Sequence, residues 1–175
     1  TFAAVLALGV ECGIFAGVAT SLALLLLLTS RPHIAIVGRL GDSAVYRNVL
    51  RHPVTTWPHV VAVRIDESLT FANARYLERV LRQLVADRPA VRHLVLIGSA
   101  INAIDASALH ILESLLVELR AAGVELHLAE IKGPVMDGLA RTDFLDRLGR
   151  DRVNLTTEAA MRRVGWGGGG AWRGR

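Results

Sequence analysis

The chain has 175 residues, 52% of them hydrophobic, with 20 basic against 16 acidic residues and a formal net charge of +4. This length suits one soluble domain with an addition, and so apolar a composition excludes a disordered, solvated polypeptide. The single cysteine, Cys12, excludes an internal disulfide framework and suits a reducing compartment for the soluble part.

Residues 1–30 concentrate the apolar side chains, and Glu11 is their only charge. As a helix, the uncharged run from Cys12 to Ser30 would be about 28 Å long, close to the ~30 Å hydrocarbon thickness of a bilayer. A buried core helix of that length needs a polar stripe, which this run lacks. A secretory signal has a shorter apolar region behind a basic stretch, and nothing basic precedes this one. Residues 1–30 are therefore expected to be a transmembrane segment. Arg31, Arg39, Arg47 and Arg51 follow it, against Asp42 alone, and predict that the rest of the chain is cytoplasmic. These arginines either touch anionic headgroups or form a solvated linker. Gly9, Gly13 and Gly17 recur every four residues, a face on which another membrane helix can pack closely. Glu11 either faces protein or water at membrane depth, or sits at the headgroup interface in a turn between two segments. The turn is favoured, because thirty residues in one helix would reach about 45 Å, too long for one untilted span.

Residues 31–164 are expected to form one α/β domain. Pro32 marks a hinge, Ile34–Gly38 reads as a strand, and Gly41–Pro58 reads as a connection broken by Pro53 and Pro58. Val60–Ile65 is a strand, and Leu69–Ala72 reads as a short one. Asn73 is placed to cap a helix to about Asp87, with Leu77, Val80, Leu81, Leu84 and Val85 on one face. Arg92–Ile97 is a strand whose apolar run suggests burial on both faces. Asp105 caps a helix over Ala106–Ala122, ended by Gly123. Val124–Ala129 is the next strand, and Pro134 at a first helical position opens a helix to about Ala140. A helical turn follows from Asp143 to Leu148, then an extended piece over Val153–Leu155, then a helix capped by Thr157. Residues 165–175 are Gly-rich and expected to be disordered. Alternation of strands and helices after Asn73 predicts a four- to five-stranded, mostly parallel β-sheet with right-handed crossovers and four to five α-helices.

Chemistry-bearing constellations are few. The histidines, His33, His52, His59, His93, His110 and His127, show no metal-ligand spacing along the sequence, so no metal is expected. Asp105, Ser107 and His110 include the residue types of a hydrolase triad, but they crowd one helix start without a nucleophile elbow. The Gly-rich tail lacks the Gly-Lys-Ser/Thr ending of a phosphate loop. The chain is thus read as no enzyme, with no cofactor. Lys132 is the sole lysine, so the basicity reflects arginine usage and does not call for nucleic acid.

Several stretches together resemble a known family. Glu11-x-Gly13-Ile14-x-x-Gly17, Pro32 through Val37-Gly38-Arg39-Leu40 and then Tyr46-Arg47, Val63-Arg64-Ile65-Asp66 with Leu69-x-Phe71-Ala72-Asn73-Ala74-x-Tyr76-Leu77, and Ile104-Asp105-Ala106-Ser107-Ala108-Leu109 occur in order. They resemble the C-terminal part of a SulP-type inorganic anion transporter, its last transmembrane helix followed by a STAS domain. The resemblance implies secondary active transport of sulfate or related anions, a homodimer, and partnership with the remaining membrane domain and with membrane lipid. It implies that the anion is bound in earlier spans, outside this chain, which would carry the regulatory or assembly end. Ser107 matches the serine phosphorylated in related anti-sigma-factor antagonists, and Asp105 the preceding aspartate. A capping Asp with an ordinary first-turn Ser accounts for the same residues. A membrane-tethered signalling module like those antagonists is the alternative to the transporter.

Overall fold

The computed structural model describes residues 9–165 and 172–173. The chain divides into two units, Thr1–Arg31 and Pro32–Arg175.

The first unit is a helix, α1 (Val10–Thr29). Its stretch Val10–Leu27 has a mean hydropathy of 2.0 and is long and apolar enough to cross a membrane. Phe15, Val18, Leu22, Leu24 and Leu27 stand exposed along it. Three hydroxyls turn back onto its own backbone: Thr20 Oγ1 donates to the Ala16 carbonyl (2.7 Å), Thr29 Oγ1 to that of Leu25 (2.9 Å) and Ser30 Oγ to that of Leu27 (2.8 Å). Internal satisfaction of this kind is what a helix needs where water is absent. Gly13 and Gly17 lie about one turn apart on α1. Gly9 is the N-cap residue, with φ 82°, and its carbonyl accepts from Gly13 N–H (3.0 Å), one turn before Gly13. Glu11 is exposed in the first turn, where the helix dipole favours a carboxylate.

The second unit is built on one mixed sheet. Its strands are β1 (Ile34–Arg39), β2 (Tyr46–Asn48), β3 (Thr55–Thr56), β4 (Val60–Ile65), β5 (His93–Ile97), β6 (Glu125–Ala129), β7 (Val153–Asn154) and β8 (Trp172–Arg173). The order is β7-β6-β5-β4-β1-β3-β8, with β2 also on β1. Strands β4 to β7 pair in parallel, whereas β1 pairs antiparallel with β4, β2 and β3. The helices are α2 (Ala74–Ala86), α3 (Ala106–Ala121), α4 (Gly133–Leu139), α5 (Phe144–Leu148) and α6 (Thr157–Arg163).

Strand alternation sends successive side chains to opposite faces, and each face has its own core. Val61, Val63, Ile65, Leu94, Leu96, Leu126 and Leu128 pack with Leu77 and Leu81 of α2, Leu112 and Leu115 of α3, and Phe144 and Leu148 of α5. Val37, Ala62, Val95, Ile97 and Ala129 pack on the other face with Trp57 and with Ala160 and Met161 of α6. Burial on both faces explains the unbroken apolar run of β5. Tyr46 of β2 donates its phenolic hydroxyl to Glu158 Oε2 of α6 (2.8 Å), tying an edge strand to this second layer.

The α/β class and the central strands are as the sequence implies, but five local expectations change. The connection 41–58 contains two short strands, so the sheet among the described residues has eight strands and is antiparallel on its β1 side. Leu69–Ala72 is not a strand: Leu69 makes a single parallel bridge to Ile104, and the chain then turns. Asn73 precedes α2 without capping it through its side chain. Pro134 is the second residue of α4, whose first is Gly133. The cap of α6 is Thr156, whose Oγ1 accepts from Ala159 N–H (3.1 Å), while Thr157 is buried as the first helical residue. Of the tail expected to be disordered, 166–171 and 174–175 lie outside the described residues; Trp172–Arg173 pairs antiparallel with Thr55–Thr56.

Candidate functional site

The carboxyl ends of β4 and β5 feed two loops that hold each other. Leu69 N–H donates to the Ala103 carbonyl (3.0 Å), and Asp105 N–H donates to the Leu69 carbonyl (3.1 Å). Asp105 then divides its carboxylate between the two loops. Oδ1 accepts from Ala108 N–H (2.8 Å), capping α3 as expected, and Oδ2 accepts from Phe71 N–H (2.7 Å). Asn73, only 2% exposed, stitches its own turn: Oδ1 accepts from Thr70 N–H (3.0 Å) and Nδ2 donates to the Ser68 carbonyl (2.9 Å). An Asn that bonds a local turn rather than the helix ahead is a known competition.

Ser107 sits on the first turn of α3, exposed, and its hydroxyl makes no hydrogen bond among the described residues. Free backbone N–H groups and the helix dipole favour added negative charge there. The structure thus brings Asp105 and Ser107 to one rim, the carboxylate engaged and the hydroxyl open. Beside them lies a cleft of about 240 Å³ lined by Asn102, Ile104, Asp105, Leu109, Val135 and Leu139. Asn102 Oδ1 accepts from Lys132 Nζ (2.6 Å) at its mouth. Phe71 is exposed on the same loop pair. Neither Phe71 nor the Asn102–Lys132 bridge is legible from spacing, since both depend on how the loops meet.

A second polar group stands at this end of the sheet, where the chain enters β1. Asp66 Oδ2 lies 2.7 Å from His33 Nδ1, and Arg64 Nε donates to Asp66 Oδ1 (2.7 Å). Burial disfavours the Asp66 carboxylate, but the bonds from Arg64 and His33 outweigh it and hold its pKa below the usual carboxylate value.

At the opposite ends of the parallel strands, His93 faces Glu125 in register, and His127 follows two residues on. All three therefore point to the α6 side of the sheet. His93 Nδ1 lies 3.3 Å from His127 Nε2 and 3.5 Å from Glu125 Oε2, and His127 Nε2 lies 3.8 Å from that oxygen. Burial pushes His127 down to about 4, helped by the neighbouring His93 and by Arg152 and Arg163, against the pull of Glu125. His93 is lowered in the same way, first by burial. These residues are 32 and 34 positions apart, so strand register, not sequence spacing, gathers them.

Residues 52–160 match the family model described as STAS domain. The chain is 33% identical over 170 residues to sulfate transporter 1.3 of Arabidopsis thaliana, covering 91% of this chain and 26% of that protein. It spans about a quarter of the length of the curated relatives it matches. Among solved structures, the murine Solute Carrier 26 family member A9 anion transporter in its inward-facing state superposes with a TM-score of 0.78 at 20% identity, over 86% of this chain and 25% of that one. The SulP transporter STAS domain from Vibrio cholerae superposes at 0.52 and 19% identity, over 66% of this chain and 88% of that one. At such identities the structures establish the fold. The sequence match agrees with the SulP resemblance carried by Val63-Arg64-Ile65-Asp66 and the Ile104–Leu109 loop.

Proposed function

This chain belongs to the STAS domain family, and on that premise we propose that it is the last membrane span and cytoplasmic STAS domain of a SulP-type sulfate or inorganic-anion transporter. The observation that carries the reading is an alignment over 91% of this chain with a sulfate transporter, more than the unit Pro32–Arg175 alone can supply, so that it reaches into the apolar unit. A freestanding signalling domain gives no reason for such a match to run into an apolar helix.

In this reading α1 completes the membrane unit, and Gly13 and Gly17 let a neighbouring span approach. The arginines after it keep the domain on the cytoplasmic side. The anion is bound elsewhere in the transporter, and the STAS domain regulates or assembles a homodimeric unit. Asp105 and Ser107 form the partner loop: Asp105 fixes its shape through two backbone bonds, and Ser107 offers the hydroxyl at which a phosphate changes its charge. Exposed Phe71, held by the same aspartate, supplies apolar contact.

The test is complementation in trans. A sulfate transporter relative truncated before its last span is expressed with this chain, and uptake of radiolabelled sulfate is measured in intact cells. The chain should restore uptake, and Ser107→Asp should change the restored rate while Ser107→Ala leaves it near wild type. A chain that enters the membrane and associates with the truncated transporter without restoring uptake would refute the transport role. Equal rates for Ser107→Asp, Ser107→Ala and wild type would refute the switch role alone.

A further inference from the structure

We propose that His93, Glu125 and His127 form a binding site for one divalent transition-metal ion of the zinc class. The site stands apart from the loop of Asp105 and Ser107, at the amino ends of β5 and β6.

The argument is geometric. Zinc takes imidazole nitrogen at about 2.0–2.1 Å and carboxylate oxygen at a similar length, in a tetrahedron. The edge of such a tetrahedron, the spacing between two ligand atoms, is about 3.3 Å. The three ligand atoms here are separated by 3.3, 3.5 and 3.8 Å. They form a triangle that needs only a few tenths of an ångström of contraction to become one face of that tetrahedron. The ligands are held in place by the sheet: His93 and Glu125 are paired strand residues, and the His127 side chain is 3% exposed. Such a buried imidazole aimed at two further donors is set by packing and not by a mobile surface.

The outer contacts divide in their effect. Arg152 Nη2 donates to Glu125 Oε1 (2.7 Å), which orients the carboxylate and leaves Oε2 directed at the two histidines. Its charge opposes a cation, however. His127 Nδ1 has no hydrogen-bond partner among the described residues. A metal-bound imidazole ordinarily gives that proton to an acceptor. Both features weaken the site. Glu125 and His93 are partly exposed, so the fourth position opens to solvent and takes water. The ligand chemistry, two imidazoles and one carboxylate, selects zinc, cobalt, nickel or copper over magnesium or calcium.

The whole chain in detergent micelles, stripped with a chelator, is titrated with zinc against a chromophoric competitor and with cobalt followed by visible absorption. One ion per chain is expected, with the cobalt spectrum of a four-coordinate site. His93→Ala and Glu125→Gln should each weaken binding by roughly tenfold or more, whereas His110→Ala, an exposed histidine on α3 across the sheet, should bind as wild type. Both test variants change partly exposed side chains, and circular dichroism checks that they fold. Failure of the wild-type chain to take up stoichiometric zinc or cobalt would overturn the proposal. So would unchanged affinity in both His93→Ala and Glu125→Gln.

Discussion

Replacing Asp105 by alanine separates the two tasks of its carboxylate. The side chain accepts from Ala108 N–H at 2.8 Å and from Phe71 N–H at 2.7 Å. Loss of an N-cap costs about 1 kcal/mol. Loss of the second bond, which leaves the Phe71 amide without its acceptor, costs about 1 kcal/mol more. Asp105→Ala should therefore destabilise the domain by about 2 kcal/mol. Asp105→Asn should cost about half as much, because its amide oxygen still caps α3 while its NH₂ cannot accept from Phe71. Urea unfolding in micelles, followed by tryptophan fluorescence, gives the two midpoints. Amide hydrogen exchange assigns them: Ala108 should stay protected in Asp105→Asn and become labile in Asp105→Ala, while Phe71 should become labile in both. If Phe71 exchanges as in wild type in both variants, the aspartate does not join the two loops and the reasoning fails.

Three further outcomes follow from the geometry. His127 carries a folded pKa of about 4 against 6.5 ordinarily. The unfolded chain then takes up the proton first, and stability should fall as pH drops from 6.5 to 4, by at most about 3 kcal/mol, and level off on this account below that. Urea midpoints across that range, with chelator present, should show a shallower slope in His127→Leu, where His93, also lowered by burial, still contributes; an equal slope in both would contradict it. Ser107→Ala should leave the urea midpoint within about 0.5 kcal/mol of wild type, since its hydroxyl is exposed and unbonded. A large loss would mean that the residue is structural. In Gly38→Ala the new Cβ would stand 2.7 Å from both the Thr55 carbonyl oxygen and Val54 Cγ2. Crowding against backbone should cost about 1–3 kcal/mol and loosen β3 from β1, read as faster exchange of their amides; unchanged exchange would count against the close approach.

What could be read from the sequence was what local pattern encodes. The 3.6-residue rhythm of Leu77, Leu81 and Leu84 and the Asp105 cap both name their elements, because the residues that form them are close in the chain. The strands β2 and β3 are not legible in sequence because three residues and two residues are too few to show alternation, and Pro53 and Pro58 read as loop. Their partners on β1 are set by long-range pairing. Asn73 is ambiguous in sequence for a related reason: a residue that can cap a helix can equally bond its own turn, and only the fold around Ser68 decides. Thr156 and Thr157 are adjacent and chemically alike, so composition does not distinguish cap from first helical residue. The cluster of His93, Glu125 and His127 is invisible in sequence because parallel neighbours are joined only through a crossover.

The first strand after α1 is not an edge. β1 lies between β4 and the β2–β3 side, with four register pairs to β4 running from Ile34↔Ile65 to Val37↔Ala62. A pull delivered through Pro32 along the strand axis would load those cross-links together, in shear, instead of peeling them one at a time. His33, paired to Asp66 at the point of entry, would take the strain first. A tether fastened in this way passes displacement into the middle of the sheet, so the domain answers a tug as a rigid body long before any strand is drawn out.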